Sequence, residues 1–224
     1  MSQEAKTVKK KRKNPITFGV VLNEEQKAGK SIILQNDITI INGSAGSGKS
    51  LLACQVGLDG LFRGDFDKLI IARPAVTAGE DLGFLPGTEQ EKIIGFLLPV
   101  MDNINALYGD TKSKKDKIEK HIENGDIEIV SVGKMRGRTF SNAFVIIDEF
   151  QNVTTSQAFL ITTRIGKESK LVVTGDVKQK DIKGDSGLDK LIYLAPKVEG
   201  MEVVKLVENH RSGIVKKLIE AWDK

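Results

Sequence analysis

Cysteine is nearly absent from this 224-residue chain. Cys54 stands alone, so no internal disulfide can form, and it reads as a small core residue rather than a reactive thiol. Histidine is almost as scarce: His121 and His210 lie far apart and offer no metal-ligand spacing. One Trp and two Tyr leave few rings for stacking nucleic-acid bases. No apolar run approaches the roughly 20 residues of a membrane span. The lysine-rich start has no apolar stretch behind it of the kind a secretory signal needs. These absences give the expectation of a cytoplasmic protein in a reducing setting, without membrane contact.

Basic charge is abundant only in one place. Residues 1–14 carry Lys6, Lys9, Lys10, Lys11, Arg12 and Lys13 against Glu4, a net of +5, whereas the whole chain sums to +4. Residues 15–224 therefore sum to −1, and the pI of about 9.0 belongs to a tail. Lacking apolar residues to bury, that tail is expected to be disordered. It is either a solvated extension or an electrostatic contact for nucleic-acid phosphates. The remaining 15–224 is long enough for one sizeable domain.

What is present is a phosphate-binding pattern. Gly43-Ser44-Ala45-Gly46-Ser47-Gly48-Lys49-Ser50 fits G-x-x-x-x-G-K-[ST]. Asp37-Ile-Thr-Ile-Ile41 before it reads as a buried strand, and Leu51-Leu-Ala-Cys-Gln-Val56 after it as a helix. A strand feeding a glycine-rich turn points successive amides inward, and the helix N-terminus adds partial positive charge. Lys49 can then reach the β- and γ-phosphates, and the Ser50 hydroxyl can ligate Mg²⁺.

Short apolar runs recur along the chain: Lys68–Ala72, Ile127–Val130, Phe144–Ile147, Lys170–Val173 and Met201–Leu206. They are β-rich and unbroken rather than alternating, as in strands buried on both faces of a parallel sheet. Helix candidates stand near 50–60, 89–108, 112–123, 154–165, 186–195 and 212–223. Thr154 and Ser212 supply caps, Pro99 is expected to kink or split the 89–108 segment, and Trp222 to anchor the last helix on the sheet. Leu22-Asn-Glu-Glu-Gln-Lys-Ala-Gly reads only as a lead into the first strand. The alternation predicts an α/β fold: a doubly wound, mostly parallel sheet in a three-layer sandwich.

Phe144-Val-Ile-Ile-Asp148-Glu149 is an apolar strand ending in an acidic pair, which belongs at the sheet's carboxyl edge beside the P-loop. Asp148 can hold Mg²⁺ through its water shell, while Glu149 can orient and deprotonate an attacking water. In Leu171-Val-Val-Thr174-Gly175-Asp176-Val-Lys-Gln179 another strand ends in polar groups. Thr174 or Asp176 could hydrogen-bond that water, and Gln179 could contact the γ-phosphate. Gln26, ahead of the P-loop, is spaced to read an adenine edge with its amide, though a surface glutamine is the plainer reading. Arg73, Arg164, Arg211 and the cluster Lys134-Met-Arg136-Gly-Arg138-Thr139 are candidates for an arginine finger.

In order, Arg73-Pro-Ala-Val-Thr-Ala-Gly-Glu-Asp-Leu-Gly-Phe-Leu-Pro-Gly87, Met135-Arg-Gly-Arg-Thr139, Val145-Ile-Ile-Asp-Glu149 with Gln151-Asn152, Thr163-Arg-Ile-Gly166 and Val173-Thr-Gly-Asp-Val177 resemble the PhoH-like proteins. Those are P-loop ATPases related to the first motor domain of superfamily 1 helicases. The resemblance runs from about residue 18 to the C-terminus. It implies a RecA-like core, ATP hydrolysis with Mg²⁺, a role in RNA metabolism or unwinding, and ring-shaped hexamers. By motif, Gln26 corresponds to the adenine-reading glutamine, Asp148 and Glu149 to the metal and water partners, Gln179 to the γ-phosphate sensor, and Arg211 to an arginine near the nucleotide. Phe150 departs from the usual alanine of Asp-Glu-Ala-Gln-Asn. Neither a nuclease domain nor a second motor domain is apparent, so a neighbouring copy is expected to supply the finger.

The expected function is a Mg²⁺-dependent ATPase that couples hydrolysis to binding or unwinding RNA or single-stranded DNA. The alternative is an ATP-gated binding or assembly protein with little turnover. The acidic pair argues against a small-molecule kinase, and the lack of an Asn-Lys-x-Asp motif against a GTPase.

Overall fold

The computed structural model describes residues 18–74, 89–109, 111–211 and 213–222. The basic tail 1–14, residues 75–88 and the cap at Ser212 lie outside them. Six strands make one sheet: β1 (Ile38–Gly43), β2 (Lys68–Arg73), β3 (Ile127–Ser131), β4 (Ala143–Ile147), β5 (Lys170–Gly175) and β6 (Met201–Leu206). Their spatial order is β3-β2-β4-β5-β1-β6. Every pairing is parallel, so the sheet is parallel throughout rather than mostly so. Seven α-helices are described: α1 (Glu24–Gln35), α2 (Lys49–Arg63), α3 (Glu89–Tyr108), α4 (Lys112–Glu123), α5 (Thr155–Thr162), α6 (Gly187–Leu194) and α7 (Gly213–Trp222). This is the doubly wound α/β sandwich that the alternation implied.

The unbroken apolar strands divide by residue parity between two cores. Leu69 and Ile71 of β2, Phe144 and Ile146 of β4, and Ile41 of β1 join Ile33 of α1, Leu52 and Leu58 of α2, Ile104 of α3 and Ile118 of α4. Ile70 and Ala72, Val145 and Ile147, and Ile40 pack instead with Ala158 and Ile161 of α5 and Leu188 and Leu191 of α6. Phe150, the departure from the family pattern, is fully buried in this second core. A bulky ring is accommodated there because it faces apolar neighbours.

Two readings are corrected. The stretch before β1 contains α1, which opens with a capping box: Gln26 N donates to Asn23 Oδ1 at 2.7 Å, and Asn23 N donates to Gln26 Oε1 at 3.2 Å. Pro99 does not split α3, which runs unbroken from Glu89 to Tyr108. Burial of Val100, Ile104 and Leu107 holds the turns after the proline on the core despite the lost hydrogen bond. None of the described side chains of α7 enters either core, and Ile214 and Leu218 are exposed. The side chain of Trp222 lies outside the described residues. Thr154 does cap α5, by a capping box with Gln157. Among the described residues, no helix is long and apolar enough to cross a membrane.

Candidate nucleotide site

β1 ends in Gly43 because no side chain fits there. A Cβ would come within 2.4 Å of the Leu206 carbonyl oxygen on β6 and 2.9 Å of Ser47 Oγ. Gly46 (φ +84°) and Gly48 (φ +82°) occupy the left-handed region and turn the loop into α2. Gly48 is the N-cap and offers no side-chain acceptor. Leu52 N–H makes the first helical bond, to Gly48 O at 2.9 Å, which leaves the amides of the preceding turn free to meet an anion. Ser47 Oγ is buried there without a partner.

Lys49 Nζ donates to the carbonyls of Gly43 at 2.8 Å and Ser44 at 2.9 Å, inside the same loop. Burial lowers its pKa, against the pull of Asp176, Glu149 and Asp148, and Arg211 adds to the lowering. An incoming polyphosphate would replace those neutral carbonyls with full negative charge.

Register brings the acidic residues to this loop. Ile147 pairs with Val173, and Ile41 with Thr174, so β4, β5 and β1 end at one level. Asp148 Oδ1 accepts from Ser50 Oγ at 2.7 Å and from Thr174 Oγ1. Ser50 and Asp148 thus offer adjacent oxygens suited to a hard divalent cation. No group of three or more His, Cys, Asp or Glu that could hold a metal occurs among the described residues, so such a cation would complete its shell with phosphate oxygens and water. The donor set therefore fits Mg²⁺ carried with a nucleotide.

Glu149 takes the left-handed backbone conformation at φ +57°. Its carboxylate accepts from Gln151 Nε2 at 2.6 Å and, more loosely, from Arg73 Nη2 at 3.4 Å. Arg73 reaches both acids, with Nε 3.5 Å from Asp148 Oδ2, because β2 lies beside β4.

Around these groups lies a cleft of about 620 Å³, whose lining includes Lys49, Ser50, Glu149, Asp176, Gln179 and Arg211. Gln179 stands exposed on its rim, its backbone N–H donating to Asp176 O at 3.0 Å. Gln26, also in the lining, is buried. Its amide oxygen serves the cap of α1, and Nε2 donates to Ser47 O at 3.4 Å. One N–H of that amide is left for a ligand.

The segment after β6 straps across the P-loop, which sequence reasoning missed. His210 N donates to Gly46 O at 3.0 Å, and Asn209 Nδ2 to Ala45 O at 3.3 Å. The Val207 and Glu208 amides donate to the Glu25 carboxylate, and Asn23 Nδ2 to Glu208 Oε2 at 2.6 Å. Arg211 is thereby laid against the P-loop in cis, beside Gly46. Arg211 of the same chain lines the cleft, and Arg73 contacts both acids of the pair. Two other finger candidates are placed elsewhere. Arg138 donates to Glu128 Oε2 at 2.6 Å and lies over Phe140. Arg164 sits in the turn after α5 that hydrogen-bonds Phe140, at the amino end of the strands.

A family model described as "PhoH-like protein" matches residues 20–223. A PhoH-like protein of Synechocystis is 41% identical over 196 residues, which is 86% of this chain and 58% of that relative. One from Bacillus subtilis is 41% identical over 194 residues, covering 85% of this chain and 59% of the relative. The chain thus spans just under three-fifths of the length of these relatives. Among solved structures, the Pif1 helicase from Candida albicans aligns over 91% of this chain and 43% of its own, with 18% identity and a TM-score of 0.47. With the family model covering nearly the whole chain and the P-loop, acidic pair and Gln-Asn dipeptide assembled at one sheet edge, this chain belongs to the PhoH-like protein family.

Proposed function

We propose that this chain is a Mg²⁺-dependent ATPase whose turnover is coupled to RNA or single-stranded DNA. The observation that carries the reading is the 2.7 Å hydrogen bond between Ser50 and Asp148, with Glu149 facing the same cleft. It joins the phosphate cradle to the carboxylate suited to the cation, with the general base next along the chain.

ATP binding draws Lys49 from the Gly43 and Ser44 carbonyls onto the β- and γ-phosphates. Gly46, Gly48 and the first amides of α2 hold the remaining phosphate oxygens, and Ser50 and Asp148 would hold Mg²⁺, which would supply charge neutralisation. Glu149 orients the attacking water and takes its proton. Gln179 meets the γ-phosphate from the rim, Gln26 contacts the base, and Arg211 or Arg73 offsets charge developing on the γ-phosphate. The +5 tail supplies contacts to nucleic-acid phosphates, which neither the near-neutral body nor its few aromatics supply. Copies of the chain are expected to associate, with a ring hexamer as the family-based expectation.

The test is an ATPase assay with and without RNA or single-stranded DNA, alongside a light-scattering mass. Lys49→Ala should abolish nucleotide binding, and Glu149→Gln should retain binding while losing turnover. Deleting residues 1–14 should remove stimulation by RNA and spare the basal rate. A chain that holds Mg·ATP without hydrolysing it, with or without nucleic acid, would establish the ATP-gated binder instead.

A further inference from the structure

Two consecutive amide side chains follow the acidic pair, and both leave their own segment to grip another. Gln151 is fully buried. Its Nε2 donates to Glu149 Oε2 at 2.6 Å, and its Oε1 accepts from Asp176 N at 3.1 Å. The fit is close, since a Cβ on Gly175 would lie 2.7 Å from Gln151 Oε1. Asn152 repeats the pattern further along: Nδ2 donates to Asp181 Oδ2 at 3.1 Å, and Oδ1 accepts from Asp181 N at 2.8 Å. The turn after β5 is therefore held at Asp176 by one amide and at Asp181 by the next.

Between those two clamps the turn carries Gln179 to the rim of the cleft, and its own bonds stiffen it. Gln179 N donates to Asp176 O at 3.0 Å, and Lys178 N to Asp176 Oδ1 at 2.9 Å. A displacement of this turn is felt at Asp176 N–H, hence at the Gln151 amide, and hence at Glu149. Only an amide serves both ends, because one partner is an acceptor and the other a donor. Glutamate at position 151 would set two carboxylates against each other, and an apolar side chain would leave both the Asp176 N–H and the Glu149 carboxylate without their partner. Glu149 also sits in a left-handed conformation unfavourable to a side chain with a Cβ, so its orientation depends on what holds it.

We propose that Gln151 is a positioning residue that locks Glu149 and the Asp176–Gln179 turn into one hydrogen-bonded unit, so that a γ-phosphate meeting the turn sets the orientation of the base. The proposal rests on the ATPase reading above and adds a residue to it.

The test uses the full chain with Gln151→Met, which nearly keeps the volume, and Gln151→Glu as a second variant. Turnover should fall on the order of 100-fold, as expected when a catalytic group is misplaced by about an ångström. The KM for ATP and the Kd for a fluorescent ATP analogue should move by less than about threefold, since phosphate binding does not use this amide. In a Glu149→Gln background, Gln151→Met should add no further loss in single-turnover rate, because the two act as a unit. Exchange of the Asp176 amide should accelerate in Gln151→Met, a change that a purely packing role would not confine to that site. A folded Gln151→Met enzyme with wild-type turnover, or losses that multiply fully with Glu149→Gln, would overturn the link. A wild-type chain without ATPase activity would instead defeat the parent reading, and this one with it.

Discussion

Arg211 lies across Gly46 with no space between them: a methyl group on Gly46 would fall 2.6 Å from Arg211 Cγ and 2.8 Å from its Nε. The arginine precedes α7 and is aimed at the P-loop by the strap. Arg211→Ala should lower turnover on the order of 10³-fold if this side chain is the one that meets the transferring phosphoryl group, by analogy with other arginine fingers. ATP affinity should change much less. Equal turnover in the variant, with loss on Arg73→Ala, would move the role to Arg73.

Gly43 faces the main chain of β6, with the Leu206 carbonyl oxygen 2.4 Å from where its Cβ would stand. Backbone cannot step aside as a side chain can. Gly43→Ala should destabilise the fold by about 1–3 kcal/mol, the usual cost of overpacking, and weaken ATP binding by shifting the loop's origin. Urea unfolding followed by circular dichroism reads the first effect. An unchanged midpoint would refute the steric argument.

Glu128 of β3 is held between Lys68 at 2.8 Å and Arg138 at 2.6 Å. Burial pushes its pKa up, but the hydrogen bonds from these two cations outweigh that, and the carboxyl ends below its ordinary value. A lowered carboxyl pKa means stability present above the unfolded value, about 4.3, and lost as pH falls through the native one. Glu128→Gln should therefore lower the melting temperature near neutral pH, and the gap from wild type should close in acid. A constant gap from pH 7 down to about pH 3 would contradict this.

Asn23 both caps α1 and ties down the strap through Glu208. Asn23→Ala should cost about 1 kcal/mol from the cap alone. Asn23→Ser keeps a capping oxygen but lacks the amide that reaches Glu208. It should recover most of that stability while leaving amide exchange at residues 207–211 faster than in wild type. Identical exchange in the two variants would show that the strap does not depend on Asn23.

The sheet was legible because its strands are buried on both faces, so their apolar runs are continuous and each is followed by polar residues at the carboxyl edge. The P-loop and the Asp148-Glu149 pair were legible for the same reason, being fixed to strand ends. Helix α1 was not. Only Gln26, Gly29 and Ile33 of it are buried, which leaves too faint an apolar stripe, although the Asn23-to-Gln26 spacing matched a capping box. Nor could composition say which arginines reach the cleft. Arg73 reaches the acidic pair because β2 happens to neighbour β4, and Arg211 reaches the cleft because the strap folds back, while Arg164 sits at the other end of the strands. The Gln151 bridge spans 25 residues of sequence to reach Asp176, and no local pattern announces such a contact.

Cys54 is buried in α2 beneath the P-loop, and desolvation drives its thiol far from ionisation at any ordinary pH. A thiolate reagent can label it only when the helix lifts away from the sheet. The lone sulfur is thus a built-in clock for opening of the native state, and because α2 begins at Lys49, its labelling rate in the presence of nucleotide would report how firmly a bound triphosphate clasps the sheet shut.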